Sequence, residues 1–428
     1  MRGLWDLPMF RNIFWMGLSS FVRLSTNLLL FTLIARHLGP EEFGHYMFWY
    51  GVTLLCALIA HYGLSHMLLK EISQHPENVA NTLGESLSLR LMLSAVLVLC
   101  ALGGSVLVDR PELLLVLLLA HLMETISETF YVTYRALGHY ARESQLAACV
   151  AITQFGFVAA AVITKQNTAV IAVAFLTGKV AQLALILPIS KQTFGRFSLQ
   201  PVGAAFRLAR RAKAYAIDNL LGSAFGNIDS TVLRIYVGID AVGIYQSGMR
   251  IFIGIAQAAA VFSSVFLPAM AKQALCKEKN PRTALTLQAS FMMYGLVAGL
   301  ALAYFSDQIV DLAFGESYSE LATLLPFFGL LFFVRLSADA WGVILMATGY
   351  QAYRAKVAAI HWIFALLLGS FLTYDLKAQG WIVALILASL LQGVLFAIRI
   401  IRSKIESSMK LSIGTAIIGG MLFIPKLI

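Results

Sequence analysis

Residues 33–47 read LIARHLGPEEFGHYM, and residues 232–246 read VLRIYVGIDAVGIYQ. The two stretches share the pattern G-x4-G-x-Y at a constant offset of 199 residues, which aligns Gly39, Gly44 and Tyr46 with Gly238, Gly243 and Tyr245. Each copy lies in a short break between two long apolar segments. A repeat placed in this way predicts a duplicated bundle of membrane helices. We expect the glycines to let the chain turn between antiparallel helices, and we do not expect the motif to bind a ligand.

The composition is that of an integral membrane protein. Hydrophobic residues make up 59% of the chain and charged residues only 13%, whereas a soluble domain has about 25% charged residues. Apolar segments of about 20 residues, each long enough to cross about 30 Å of hydrocarbon, recur from one end to the other. We predict an all-α, polytopic fold with twelve membrane spans: Asn12–Ile34, Phe43–Leu69, Ser86–Val108, Glu112–Arg135, Ser144–Thr164, Thr168–Ser190, Lys213–Val237, Gly243–Ala271, Ala284–Phe305, Ser319–Ala347, Arg354–Tyr374 and Gln379–Arg402.

The net charge of +10 reflects membrane topology rather than nucleic-acid binding. Lys and Arg cluster in alternate connections between the spans, which is the positive-inside bias of cytoplasmic loops. We therefore expect a cytoplasmic N-terminus and no nucleic-acid partner. The four cysteines have no metal-binding spacing, and we expect neither a metal nor a cofactor.

The repeat predicts how the chain divides. We expect an N-terminal six-helix lobe over residues 1–190, a basic cytoplasmic linker over 191–212, a C-terminal six-helix lobe over 213–402 and a tail over 403–428. The tail contains a short apolar segment, 411–424, which either spans the membrane or lies at its surface. Because an even number of spans separates the two copies, the repeat is parallel, and a substrate path between the lobes is expected.

A second echo supports this division. The fourth predicted span leaves the membrane through YRALGHYAR, residues 134–142, and the tenth leaves through MATGYQAYR, residues 346–354. In each stretch a small residue stands two positions before a glycine, and a tyrosine and an arginine follow. The match comes at the equivalent position in each predicted lobe.

Four cations lie well inside predicted spans, two in each lobe: Arg23, Lys179, Arg250 and Arg335. Left in lipid, they would cost roughly 10–14 kcal/mol together, which is comparable to the stability of a whole protein. We therefore expect them to line a hydrated cavity, together with the amide side chains of Asn27 and Gln257 on the same helix faces. Such a cavity suits an anionic cargo such as pyrophosphate, which Arg binds as a bidentate fork and Lys as a point charge.

Acidic side chains also lie inside predicted spans: Glu124, Glu128, Asp218, Asp229 and Asp339. All five are candidates for coupling transport to an ion gradient. Glu124 and Glu128 either carry a proton or sodium ion or act as counter-ions for the cations. Arg335 and Asp339, one turn apart, either pair with each other or belong to the cavity. Arg135 lies near a span end, where we expect its side chain to reach the interface.

The first copy of the motif, its second copy VGIDAVGIY and the exit RALGHY together resemble the polysaccharide biosynthesis proteins. These are the O-antigen and oligosaccharide flippases of the multidrug/oligosaccharidyl-lipid/polysaccharide exporter superfamily. The resemblance covers the whole chain in length, span number and repeat. It implies a MATE-like transporter with two six-helix lobes in a V and alternating access. It also implies that the protein carries an undecaprenyl-pyrophosphate-linked repeat unit across the bacterial inner membrane, coupled to a proton or sodium gradient. The expected partner proteins are a glycan polymerase and a chain-length regulator.

Three other functions are compatible with a polytopic membrane chain. A drug or cation antiporter of the same superfamily would need the acidic side chains, rather than the cations, at its centre. A polytopic glycan polymerase or glycosyltransferase is typically built with a sizeable loop outside the membrane, whereas the longest outer loop here is 306–318. We therefore expect that the protein is not an enzyme. The lipid II branch of the superfamily generally has fourteen spans, and the predicted number argues against it.

Overall fold

The computed structural model describes residues 8–195, 197–224, 228–275, 281–403 and 419–427. Within these ranges the long elements are helices, joined by short turns. Their bounds are α1 (Pro8–His61), α2 (Leu64–Gln74), α3 (Val79–Gly104), α4 (Pro111–Ala136), α5 (Tyr140–Ile163), α6 (Thr168–Phe194), α7 (Val202–Ala224), α8 (Asp229–Tyr236), α9 (Ile239–Leu275), α10 (Pro281–Tyr304), α11 (Ser306–Ala313), α12 (Ser319–Ala347), α13 (Gln351–Arg402) and α14 (Ile424–Leu427).

The predicted polytopic fold is confirmed. Among the described residues, eight helical segments are long and apolar enough to cross a membrane. Two helices contain a break in the backbone and account for two predicted spans each: α1 breaks at Gly39, where φ is 76°, and α13 breaks at Lys377, where φ is 51°. The seventh predicted span, 213–237, falls on α7 and α8. The short C-terminal segment 411–424 lies mostly outside the described residues.

The second predicted span, Phe43–Leu69, is not continuous. The chain turns at Tyr62 and Gly63, where φ is 50° and 63°. A Cβ atom on Gly63 would lie 2.2 Å from the carbonyl oxygen of Tyr215, so α7 packs directly against the backbone of this turn. The turn redirects α2 onto α3, α4 and α7, a packing that apolar periodicity alone does not predict.

The chain packs as two compact units. One contains Met1–Leu38 and His45–Thr231, and the other contains Gly39–Gly44 and Val232–Ile428. Helix α4 is central in the first unit, where it packs against α6, α3 and α2. Helix α7 also belongs to that unit, whereas the predicted C-terminal lobe begins within α7. The lobe boundaries at 190 and 213 remain predictions.

The second unit is built around α12, which packs against α10, α13 and α9. Helices α10 and α12 of this unit approach each other closely at a pair of glycines. A Cβ atom on Gly299 would lie 2.5 Å from the carbonyl oxygen of Gly329, and one on Gly329 would lie 2.3 Å from that of Gly299. Small residues let membrane helices approach until their backbones touch, which is how such helices associate without a hydrophobic driving force.

The repeated glycines have two different roles. Gly39 and Gly238 adopt φ values of 76° and 129°, which suits the expected turn. Gly44 and Gly243 lie inside helices and allow a close contact instead. A Cβ atom on Gly44 would lie 2.1 Å from the carbonyl oxygen of Ile239, and one on Gly243 would lie 2.0 Å from that of Pro40. The segment Gly39–Gly44 therefore packs reciprocally on the start of α9, within the second unit.

The two stretches 134–142 and 346–354 form the same type of helix C-terminus. The amide of Gly138 donates to the carbonyl of Arg135, and the amide of Gly349 donates to that of Met346, over 3.0 and 3.2 Å. Each following amide reaches back five residues over 2.9 Å. Both glycines adopt positive φ, 75° and 87°. This pairing of bonds is the Schellman motif of helix C-termini, and it fixes an offset of 211 residues between α4 and α12.

Candidate functional site

The first unit contains a polar cavity of about 100 Å³ between α1, α4, α5 and α6. We call it the carboxylate cavity. Its polar lining includes five residues proposed from the sequence and three others: Arg23, Asn27, Glu124, Glu128 and Lys179, with Tyr131, Gln154 and Gln182. Polar side chains from α1, α4, α5 and α6 therefore line one cavity. A cavity of this size holds a few water molecules or an ion.

An ion pair joins two walls of the carboxylate cavity. The Nζ atom of Lys179 on α6 lies 3.2 Å from Oε1 of Glu124 on α4. The lysine side chain is only 12% exposed, whereas the glutamate is 48% exposed. The lysine is therefore largely buried in protein, and the glutamate is about half-exposed. His121 lies beside it, with Nδ1 3.8 Å from Glu124 Oε2. Lys179, one of the expected free cations, is locally neutralised.

The residues next to Lys179 fix the packing of α6 against α5. The preceding residue, Gly178, leaves room for the Gln154 side chain, which would lie within 2.4 Å of a Cβ atom there. Gln154 donates to the carbonyl of Phe175 over 3.0 Å and ties α5 to α6. The Lys179 ammonium also lies 5.3 Å from the centre of the Phe175 ring, within range of a cation–π attraction.

Arg135 does not simply reach the membrane interface, as expected from its place near a span end. Its Nη2 atom lies 2.6 Å from Glu128 Oε1, and its Nε atom lies 3.4 Å from Glu143 Oε1. The Glu143 side chain is 6% exposed. One guanidinium thus holds two carboxylates at the end of the cavity, and α4 is linked to α5.

A second cavity of the first unit, about 230 Å³, lies on another side of α4 and is bordered by His61, His121, Glu124 and Glu128. We call it the histidine cavity. Glu124 and Glu128 border both cavities, so α4 presents these two carboxylates to both. Arg90 lies nearby, fully buried, where it donates to the carbonyl of Thr125 and the hydroxyl of Ser65.

The second unit contains a cavity of about 310 Å³ between α9, α10, α12 and the start of α13. We call it the arginine cavity. Its charged lining is Arg335 and Asp339 on α12 and Arg354 on α13, and the aromatic rings of Phe252, Phe291 and Phe332 contribute to its walls. Arg335 and Asp339 therefore both line a cavity. Lining a cavity was one of the two alternatives for this pair in the sequence analysis. No ion pair joins them in the described structure.

Three other proposed site residues, Arg250, Gln257 and Asp229, are described by the structure and do not line these cavities. Arg250 is half-buried and Gln257 is exposed on α9, and neither is among the described residues that line the three cavities. Asp229 is buried at the start of α8, where its Oδ1 atom accepts the backbone amide of Ser230 over 2.8 Å. The side chain of Asp218 lies outside the described residues.

Sequence reasoning missed three charged residues that the structure adds: Arg354, Glu143 and Arg90. Arg354 and Glu143 lie at helix starts, where a charged residue is usually solvated. One signal could have found them. At the offset of 211 residues, Glu143 aligns with Arg354, so the two mark the same position in each unit.

Solved structures of transporters share this fold. The lipid II flippase MurJ in an inward closed conformation matches with a TM-score of 0.72 and 11% identity, over 96% of this chain and 98% of that chain. A multidrug resistance MATE family transporter of the MOP superfamily matches in two forms. The inward-facing form gives a TM-score of 0.62 and 17% identity over 91% of this chain and 98% of that chain. The outward-facing form gives a TM-score of 0.58 and 19% identity over 93% of this chain and 96% of that chain. These identities show the fold alone.

The sequence comparisons show the family. No curated protein matches the chain significantly. The family model described as polysaccharide biosynthesis protein matches residues 9–273, which is more than half of the chain and includes both copies of the Gly–Tyr motif. The chain is therefore an integral, multi-pass membrane protein that belongs to the polysaccharide biosynthesis protein family and has the fold of the transporter structures above.

Proposed function

We propose that the protein is a flippase that moves an undecaprenyl-pyrophosphate-linked oligosaccharide, such as an O-antigen repeat unit, across the bacterial inner membrane by alternating access. The observation that carries the proposal is the presence of cationic side chains in cavities among the membrane helices of both units. Arg23 and Lys179 line one such cavity, and Arg335 and Arg354 line another. A charge at membrane depth is costly unless it meets water, a counter-ion or a ligand. A pyrophosphate headgroup would supply the ligand.

The carboxylate cavity suits coupling to a cation gradient better than it suits the sugar-lipid itself. It has room for an ion and a few waters, whereas binding sites for organic ligands measure roughly 300–1,000 Å³. Glu124 is about half-exposed and paired with Lys179. A proton or sodium ion that binds Glu124 would compete with the lysine, release it, and so couple ion binding to the packing of α4 on α6. We propose Glu124 as the principal coupling group, with Glu128 second because Arg135 already holds it.

A drug or cation antiporter is the second candidate. The observation that favours it is the pair of carboxylates bordering two cavities of the first unit. On that reading the substrate is a cation and the arginine cavity is incidental. The two candidates predict opposite effects of removing positive charge, because a cation exporter gains affinity when a cation is lost from its path, whereas an anion carrier loses it.

Deletion of the gene in its host tests the proposed function. We expect lipid-linked oligosaccharide to accumulate and surface polysaccharide to disappear, because the repeat unit stays on the cytoplasmic leaflet. Wild-type protein should restore export. An Arg23→Gln protein should not, although it inserts normally. The matched control is Arg207→Gln, which neutralises an exposed arginine outside all three cavities and should restore export fully. Unchanged surface polysaccharide in the deletion strain, together with new sensitivity to cationic drugs, would favour the antiporter instead.

The family resemblance also suggests neighbours. We propose that a glycan polymerase and a chain-length regulator act on the exported unit on the periplasmic side. With a cytoplasmic N-terminus, the connections 105–110 and 164–167 would also lie on the periplasmic side. Accessibility of single cysteines introduced into the connections 105–110 and 164–167 measures that orientation. Labelling of these positions only from the periplasm supports it, and labelling only after permeabilisation of the inner membrane contradicts it.

A further inference from the structure

Three charged residues of the first unit align with charged residues of the second, and the sign differs at two of the three positions. The shared helix end at Gly138 and Gly349 sets an offset of 211 residues. At this offset, the carboxylates of the first unit align with the charged lining of the arginine cavity: Glu124 with Arg335, Glu128 with Asp339, and Glu143 with Arg354. Two of the three acidic positions of the first unit therefore align with arginines, and the third aligns with an aspartate. Over these three positions the charge changes from −3 in the first unit to +1 in the second.

The charges in the two units are also neutralised differently. In the first unit, ion pairs connect Lys179 to Glu124 and Arg135 to two carboxylates. In the described part of the second unit, no ion pair connects Arg335 or Arg354 to Asp339. The Nε atom of Arg354 is buried without a hydrogen-bond acceptor among the described residues, and its Nη1 atom contacts the sulfur of Met346 at 3.0 Å. Two guanidinium groups thus face one carboxylate, with one positive charge in excess.

The size of the arginine cavity decides what could supply the missing negative charge. About 310 Å³ is three times the volume of the carboxylate cavity and lies at the lower end of the range for organic ligands. Arg335 approaches from the middle of α12 and Arg354 from the first turn of α13, so an anion between them would be held from two sides. Guanidinium groups match the oxygen spacing of phosphate in bidentate pairs.

We propose that the arginine cavity is an anion site that takes a phosphate or pyrophosphate group through Arg335 and Arg354, and that Asp339 limits its affinity. The site stands on this geometry alone. Its assignment to the headgroup of the carried lipid rests on the proposed function, and the same chemistry could come from a membrane phospholipid. The duplication would then have divided two tasks, with a cation site in the first unit and an anion site in the second.

Binding of inorganic pyrophosphate to the purified full-length protein in detergent tests the site. We expect pyrophosphate to raise the melting temperature of the wild type and of the control Arg207→Gln by the same amount. The apparent Kd should rise roughly ten- to a hundredfold in Arg335→Gln and in Arg354→Gln, the range for loss of a charge-assisted hydrogen bond. Asp339→Asn should bind more tightly, because it removes a repelling charge. This increase in affinity cannot result from misfolding. No binding by the wild type, or equal binding by all variants, would overturn the proposal.

Two further arms identify the source of the phosphate. In nanodiscs of phosphatidylcholine, added phosphatidylglycerol should not displace pyrophosphate if the carried lipid is the ligand, and cells with Arg335→Gln should accumulate lipid-linked oligosaccharide. Displacement by phosphatidylglycerol with normal export in those cells would assign the site to a phospholipid and remove its substrate role. If the deletion strain exports normally, the proposed function fails, and the binding measurement still decides the anion site.

Discussion

Replacing Gly44 by alanine should open the closest backbone contact of the Gly–Tyr motif. The new Cβ atom would lie 2.1 Å from the carbonyl oxygen of Ile239, whereas ordinary contacts between such atoms begin at about 3.5 Å. The segment Gly39–Gly44 would therefore have to retreat by more than about 1 Å. Overpacking of this kind costs about 1–3 kcal/mol. Gly243→Ala should behave alike, because its Cβ atom would meet the carbonyl oxygen of Pro40 at 2.0 Å.

A matched control separates this steric cost from helix propensity. Gly156 lies in the middle of α5, and a Cβ atom added there would have no neighbouring atom within 4 Å. Gly156→Ala should therefore stabilise the protein by about 0.5–1 kcal/mol. The difference between Gly44→Ala and Gly156→Ala isolates the clash. For a cooperative unit of about 200 residues, it corresponds to roughly 2–12 °C in melting temperature.

Thermal unfolding of the purified protein in detergent, followed by tryptophan fluorescence, measures these shifts. The double variant Gly44→Ala/Gly243→Ala should lose less stability than the two single variants together, because one displacement relieves both clashes. Additive losses would mean that the two clashes are independent. A melting temperature for Gly44→Ala equal to that of Gly156→Ala would refute the contact itself.

Three further perturbations test other contacts by the same unfolding measurement. Lys179→Met should destabilise the protein by about 1–3 kcal/mol, because it removes the lysine partner of the Glu124 carboxylate at membrane depth. Adding Glu124→Gln should recover most of this loss, and failure of that rescue would mean that the 3.2 Å pair is not formed. Arg135→Gln should cost about 1.5–3 kcal/mol, because it removes charge-assisted contacts to two carboxylates. Arg135→Lys should restore only part of this loss, because a single ammonium lacks the fork geometry, and full rescue by lysine would contradict the two-contact geometry. Gly63→Ala should cost about 1–3 kcal/mol through its positive φ and its clash with Tyr215, and a neutral result would mean that α7 does not press on this turn.

The sequence predicts the fold well because membrane helices are specified locally. The tenth span, Ser319–Ala347, coincides with α12, since its apolar run is closed by the glycine of a helix C-terminus. Periodicity also places Arg335 and Asp339 on one face, and both line one cavity.

Side-chain contacts between different helices could not be predicted from the sequence. The partner of Lys179 is Glu124 on α4, 55 residues away, and no local spacing indicates that pairing. Arg354 stands at a helix start, where solvation is the ordinary expectation, yet the fold turns it toward α12. A glycine in a sequence likewise shows only that a side chain is missing. Gly44 and Gly39 look alike as letters of the motif, although one accommodates a carbonyl and the other bends the chain.

The reciprocal contact at Gly44 and Gly243 has a consequence for how such a chain could arise. Each copy of the motif supplies both halves of the contact, the bare Cα surface and the carbonyl that rests on it. An unfused ancestor with a single copy would have been self-complementary at this position, which is the requirement for an isologous homodimer. Fusion of two such copies would place one of each half in every molecule, and the two copies could then differ in charge without producing mismatched pairs.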